Sequence, residues 1–133
     1  MRDANARKVR FVKARLEQAG DHYHADVELT DEDGARFTGG ADGPRTDQDL
    51  LRTGALAAAA AAEQASGIAG ARVEVQDLAV VREFGAEIVL VSVRATARND
   101  TWQLYGVSRV RGDLAAAAAL AVLNATNRVL DLA

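Results

Sequence analysis

The chain has 133 residues, of which 49% are hydrophobic and 26% charged, which is the composition of one globular domain with its own core. It contains no cysteine, which excludes disulfide bonds and thiolate metal sites. No apolar run follows the charged N-terminal residues and none approaches the roughly 18 residues of a membrane span, so we expect a cytoplasmic protein that does not bind membranes.

Charge is distributed unevenly along the chain. The first 16 residues contain six basic residues and one acidic residue, whereas residues 21–33 contain six acidic ones, in a chain of formal net charge −3. We interpret these segments as neighbouring antiparallel strands whose charges pair across the ladder. Nucleic-acid binding through a strand at Arg7 to Arg15 is an unfavoured alternative, because an acidic chain with 5% aromatic residues lacks a basic surface and stacking platforms.

Two strands are predicted near the N-terminus. Residues 9–17 suggest a strand with Val12, Ala14 and Leu16 on one side. Residues 22–30 alternate between apolar and polar types almost without error, a pattern typical of a strand with one buried face.

A third strand and a helix complete this first unit. The strand passes through Phe37 and is expected to stop at the pair Gly39-Gly40. The helix begins at Thr46 or Asp47, which are good N-caps, and ends at Ser66-Gly67. Its interior is nearly all alanine, which favours a helix that lies close to its neighbours and fills little space.

The second half of the chain repeats this order. Strands are expected at 72–82, 86–98 and 101–110, and a helix capped by Asp113 from Leu114 to about Leu130. A constant offset of 64 positions aligns several identical residues in the two halves. These pairs are Val9 with Val73, Val27 with Val91, Leu50 with Leu114, Ala55 with Ala119, Leu56 with Leu120, and Ala61 with Ala125.

The sequence therefore predicts an α+β fold in one domain, residues 1–133, made of two tandem βββα units at about 9–67 and 72–131. We expect a mainly antiparallel six-stranded sheet with two helices packed on it. The strand at 86–98 is apolar on both faces, since Ile88 and Leu90 alternate with a second apolar set, so both faces need cover. A second copy of the chain is the simplest cover for the face without helices.

The order of elements and three short motifs resemble the C-terminal regulatory domain of 2-isopropylmalate synthases. The motifs are Gly39-Gly40-Ala41-Asp42-Gly43-Pro44, Leu104-Tyr105-Gly106-Val107-Ser108 and Leu123-Asn124-Ala125-Thr126-Asn127-Arg128. The resemblance implies a homodimer that binds a small amino acid or carboxylate where the units meet. It also implies that six residues in two glycine loops border the ligand: Gly40, Gly43, Pro44, Gly106, Val107 and Ser108.

The chain lacks the catalytic barrel of those synthases, so their reaction is not implied. Arg45, Thr46 and Asp47 also differ from the pattern expected after the Gly-Pro pair, which leaves the ligand open. Glycines before a helix can present backbone N–H groups to an anion, but they can equally serve only to turn the chain.

The two histidines give the best indication of a metal site. His22, His24 and Asp26 share one strand face at alternate positions, which permits a common ligand, although a solvated surface is the simpler interpretation. No motif for nucleophilic catalysis is present, so we expect no enzyme activity and no cofactor or bound metal.

Two further groups of residues invite structural roles. Trp102 and Tyr105 lie on opposite faces of the last strand, where they could close the core or a subunit interface. Asn124, Asn127 and Arg128 share one face of the last helix and suggest hydrogen bonding, either to dock the helix or to contact a ligand.

We thus expect a non-catalytic homodimeric module with a regulatory or small-ligand-binding role. A structural interaction protein or scaffold without a small ligand is the alternative.

Overall fold

A computed structural model of the chain describes residues 9–44, 46–127 and 130, and it has the predicted order of elements, βββα followed by βββα. The α+β class, with six strands and two helices, is confirmed. The elements are β1 (Arg10–Ala19), β2 (His22–Thr30), β3 (Arg36–Pro44), α1 (Asp47–Ser66), β4 (Arg72–Glu83), β5 (Ala86–Ala97), β6 (Asp100–Arg109) and α2 (Leu114–Thr126).

The strands form two antiparallel sheets of three instead of the single six-stranded sheet that we expected. The first sheet has the order β1-β2-β3 and the second the order β4-β5-β6. The helix of each unit also packs against the first strand of the other unit, α1 on β4 and α2 on β1.

The two units share their strand register. Val27 lies opposite Ala14 on one side and Gly39 on the other. Val91, 64 positions later, lies opposite Leu78, which is also 64 positions after Ala14. It also lies opposite Gly106, which is 67 positions after Gly39 because the two hairpins differ in length. This equivalence is what a duplicated unit predicts.

Each first strand contains a β-bulge at the same place. The register shifts between Phe11 and Lys13 in β1, and between Val75 and Asp77 in β4. The extra residue in β1 is Val12, whose predicted place beside Ala14 and Leu16 is wrong: a bulge breaks the alternation, so Val12 is 45% exposed. Across the ladder, Lys13 and Arg15 lie opposite Glu28 and Asp26, as the charge pattern predicted.

The glycines that we expected to end the third strand lie inside it. β3 continues through Gly39 and Gly40 to Pro44 and pairs with β2 along its whole length. A Cβ atom on Gly39 would overlap the backbone of Ala57 and Ala61 in α1. The glycine is thus needed because the helix backbone approaches the strand too closely for a side chain.

The same contact occurs in the second unit, where a Cβ on Gly106 would overlap the carbonyl oxygen of Ala121 in α2. The helices also touch each other closely, since a Cβ on Gly54 would lie 3.0 Å from the carbonyl oxygen of Ala115. Each helix packs against the sheet of its own unit, against the other helix and against the first strand of the other unit. Both helices are therefore buried on most sides. Alanine suits this position because it is a strong helix former that needs almost no space.

Both helix starts follow the predicted capping and α1 ends as predicted at Ser66-Gly67, whereas α2 ends at Thr126, short of the predicted Leu130. Thr46 caps α1 by accepting a hydrogen bond from the Asp49 N–H, and Gly67 ends the helix at φ 65°. Asp113 caps α2 by accepting from the N–H groups of Ala115 at 2.9 Å and Ala116 at 3.3 Å. Neither described helix has the length and hydropathy needed to span a lipid bilayer.

Substitution Gly106→Ala tests the helix–strand contact. The added methyl group has no room against the Ala121 carbonyl, so we expect a loss of about 3 kcal/mol in the free energy of unfolding, at the upper end for overpacking. Urea denaturation followed by circular dichroism measures this loss.

Gly40→Ala is the matched control, since its added Cβ would face the exposed side of the first sheet and its nearest neighbour would be the Asp26 side chain at 3.2 Å, with no backbone overlap. We expect a loss of at most about 1 kcal/mol for this variant, clearly below that of Gly106→Ala. Equal stability of the two variants would contradict the close contact between α2 and β6.

Candidate functional site

The six residues expected to border a ligand lie in strands, three in β3 and three at the end of β6. Gly43 faces α1, where an added Cβ would overlap the Thr53 hydroxyl oxygen. Gly106 faces α2. The Cα positions of these two glycines therefore pack against the helices, and their role at a ligand stays a prediction.

Val107 and Ser108 line a cleft of about 380 Å³ between the end of β6 and the start of α2. Its other walls include Arg109, Arg111 and Asp113. The cleft thus combines the start of a helix with two basic side chains, although Asp113 already accepts hydrogen bonds from the first free N–H groups of that helix.

The other predicted residues are not part of that cleft. Gly40 lies next to Asp26 and His24 on the outer side of the first sheet, and Pro44 pairs with His22 at the sheet's end. The clefts described here do not combine residues of β3 with residues of β6. These clefts, which are built from the described residues, therefore do not join the two predicted halves of the site.

Asn124 has the hydrogen-bonding role that its position suggested. Its side-chain amide donates to the carbonyl oxygen of Val107 at 2.8 Å and so joins α2 to the free edge of β6. Two side chains of α1 act similarly at other edges: Gln64 accepts from the Thr38 N–H at 3.0 Å and Glu63 from the Val73 N–H at 2.6 Å. Helix side chains thus occupy backbone groups of three edge strands, which limits strand addition there.

A histidine and two carboxylates form a cluster on the outer face of the first sheet. His24 Nδ1 lies 2.8 Å from Asp42 Oδ1, and His24 Nε2 lies 3.1 Å from Asp26 Oδ1. The hydrogen bond to Asp42, followed by the charge of Asp26, raises the pKa of His24 above its ordinary value of 6.5. The imidazole links β2 to β3 across the sheet through its contact with Asp42.

The cluster does not have the geometry of a metal centre. Among the described residues, no group of three or more histidines and carboxylates is arranged to hold a metal ion. Both ring nitrogens of His24 are engaged by carboxylates, and His22 Nε2 lies 4.0 Å from Asp42. The arrangement is that of a histidine paired with acids.

The outer face of the second sheet is apolar over half its length. Tyr105 is 74% exposed, Val107 50% and Leu90 39%, whereas Trp102, on the opposite face of β6, packs against the core. We call this surface the outer patch. It comprises Ala79, Val81, Ile88, Leu90, Tyr105 and Val107, which are neighbours across β4, β5 and β6.

The outer patch includes a depression of about 230 Å³ between Leu90 and Tyr105, with Asp77 and Ser92 as polar lining residues. Toward the other end of the same face, Gln103 donates to Gln76 at 2.5 Å and to Ser92 at 2.7 Å. The outer face of the first sheet instead carries Lys13 and Arg15 with their acidic partners. Among the residues that the structure describes, nothing covers the apolar β5 face that was predicted to need cover.

A further cleft, which the sequence did not predict, lies between α1 and the second sheet and has a volume of about 750 Å³. Arg52, Arg72 and Arg94 line it from three different elements. No short motif joins residues so far apart in the chain, so only the packing of the two units could place them together.

The chain matches no known protein-family model, and no curated protein is significantly similar to it in sequence. The resemblance to synthase regulatory domains therefore depends on short motifs and on the order of the elements. A function similar to theirs is a proposal.

The His24 cluster predicts that stability falls as pH rises. Because the pKa of His24 is raised in the folded protein, its contribution is complete below 6.5 and is lost as pH rises through the higher folded value. Urea denaturation between about pH 6 and 9 should show this decline. The decline should persist in His22→Asn and shrink in His24→Asn; an identical pH profile in His24→Asn would contradict the role of the cluster.

Proposed function

We propose that the protein is a non-catalytic, cytoplasmic module that forms homodimers and binds a small ligand in a regulatory role, similar to the regulatory domain of 2-isopropylmalate synthases. The observation that carries the proposal is the outer patch. Six apolar side chains on three neighbouring strands face outward, and each exposed Å² of apolar surface costs about 25 cal/mol relative to burial.

A second copy is the partner that best fits the outer patch. A two-fold dimer places the same surface on both subunits, so an apolar patch meets an equally apolar one. If the outer patch packed instead against the outer face of the first sheet of another copy, Lys13 and Arg15 would lose their water against an apolar surface. The outer patch therefore supports a dimer in which the second sheets of the two subunits face each other.

Ligand binding is supported by the clefts at the helix–sheet boundaries, and the resemblance implies a small amino acid or carboxylate. The absence of catalysis is supported by the position of both histidines on the outer face of β2, outside the described clefts. A scaffold without a small ligand is the second candidate, because the outer patch by itself accounts for assembly.

Substitution Leu90→Arg tests the dimer. A charge in the centre of the outer patch should separate the subunits and lower the mass measured by light scattering from twice the chain mass to 14.0 kDa. Thr38→Arg adds the same charge to the outer face of the first sheet, opposite Glu28, and should leave the dimer intact. A monomeric wild-type protein at all concentrations would refute the proposal.

Thermal denaturation with a panel of amino acids and small carboxylates separates the two candidate functions. A ligand that binds only the folded protein adds about 2.7 kcal/mol to the free energy of unfolding at a concentration of 100 times its Kd. The melting temperature should therefore rise with ligand concentration, and each further increase in concentration should raise it less. We expect at least one compound to behave in this way. No response across the panel from a dimeric protein would favour the scaffold.

A further inference from the structure

The cleft between α1 and the second sheet is where the two units of the chain meet. Its volume of about 750 Å³ lies in the range of small-molecule sites. Because β4 is an edge strand, the cleft reaches residues on both of its faces. The lining residues from α1 and β5 are Arg52, Leu56, Glu63, Arg94 and Thr96, and those from the segment before and along β4 are Ala71, Arg72, Val73, Glu74 and Val75.

The charged groups of this cleft leave two guanidinium groups without a counter-ion. Glu74 Oε2 lies 3.9 Å from Arg94 Nη1, and Glu63 Oε2 accepts the Val73 N–H at 2.6 Å, which holds it against the wall. Within the part of the chain that the structure describes, Arg52 and Arg72 have no ion-pair partner. Three arginines against two glutamates give the cleft a net positive charge.

The apolar side chains of the cleft limit the kind of anion that fits. Leu56 and Ala71 are only partly buried and form the accessible apolar wall, whereas Val73 and Val75 lie behind it at 8% and 4% exposure. An anion lying between the arginines would therefore rest against an aliphatic wall. A short carbon skeleton with one or more acidic groups satisfies both surfaces, whereas a fully hydrated ion would leave the wall uncovered.

We propose that this cleft binds a small organic anion, a carboxylate or phosphate ester with a short apolar body, held by Arg52 of α1 and Arg72 of β4. A guanidinium group binds either head group through paired N–H donors, which a lysine could not do. The ligand would join the helix of the first unit to the sheet of the second. The inference deepens the proposed small-ligand role and rests on it, but it does not depend on the dimer.

Titration of the full chain with succinate and with inorganic phosphate tests this assignment, with neutral succinamide as the uncharged analogue. Binding is measured by calorimetry and by the amide NMR shifts of Val73 to Val75. Succinate should bind saturably and shift these amides, and succinamide should not. Saturable binding of succinate at these amides supports the proposal. Binding of inorganic phosphate alone would identify a site for a bare hydrated anion and would overturn the proposal of an organic anion.

Arg52→Gln and Arg72→Gln should each weaken binding about tenfold or more, the usual loss for one charge-assisted hydrogen bond to a ligand. Both side chains are exposed, so circular dichroism should show an unchanged fold. Arg109→Gln is the matched control, because Arg109 lines the other basic cleft, beside α2. It should leave the affinity unchanged.

Loss of binding in Arg109→Gln with no effect of Arg52→Gln would move the anion to the β6–α2 cleft and overturn the proposal. Absence of saturable binding by both anions would also overturn it. Neither result affects the proposed homodimer or a ligand found in the thermal panel, so failure of this site is distinguishable from failure of the proposed function.

Discussion

The close approach of each alanine-rich helix to the backbone of a third strand is the contact on which the rest of the structure depends. It is possible only because Gly39 and Gly106 have no side chain at the point of contact. Alanine helices gain little from the area of their own side chains, so they need many short contacts with backbone and small groups. The fold obtains them by placing both helices between the sheets and against each other.

This packing determines which surfaces are left for binding. The inner faces of both sheets are used by the helices, and edge backbone groups of β3, β4 and β6 are occupied by Gln64, Glu63 and Asn124. Among the described residues, no other element covers the outer faces or fills the boundaries between the units. The two outer faces differ in character, charged on the first sheet and apolar on the second, so a protein with two similar halves presents two unlike surfaces.

Much of the fold could be predicted from the sequence because its signals are local. The alternation of residues 22–30 identified a buried face, and Thr46 and Asp113 identified the helix starts. The bulge at Val12 could not be predicted, since an extra residue in a strand leaves no mark in a short apolar pattern. The glycines of β3 were misread as a loop because local propensity cannot reveal a helix lying across the strand.

The candidate sites were harder to predict than the fold. Asn124 was singled out because asparagine is a poor residue for a helix interior, and its bond to Val107 explains its presence. Asp42, by contrast, contacts His24 from a neighbouring strand, and the spacing of the two residues along the chain does not predict that contact. The arginines of the inter-unit cleft come from three elements and meet only through tertiary packing. A glycine motif alone could not distinguish a ligand contact from a packing contact.

Native-state hydrogen exchange measures the central contact most directly, because the amides in the middle of both helices lie against the strand backbone. If the helices are held between the sheets, the amides of 57–62 and 117–122 should exchange only through global unfolding, with the same free energy as the central strands β2 and β5. Exchange of either helix at a lower free energy, while the strands stay protected, would show that the helix opens separately and would contradict this account.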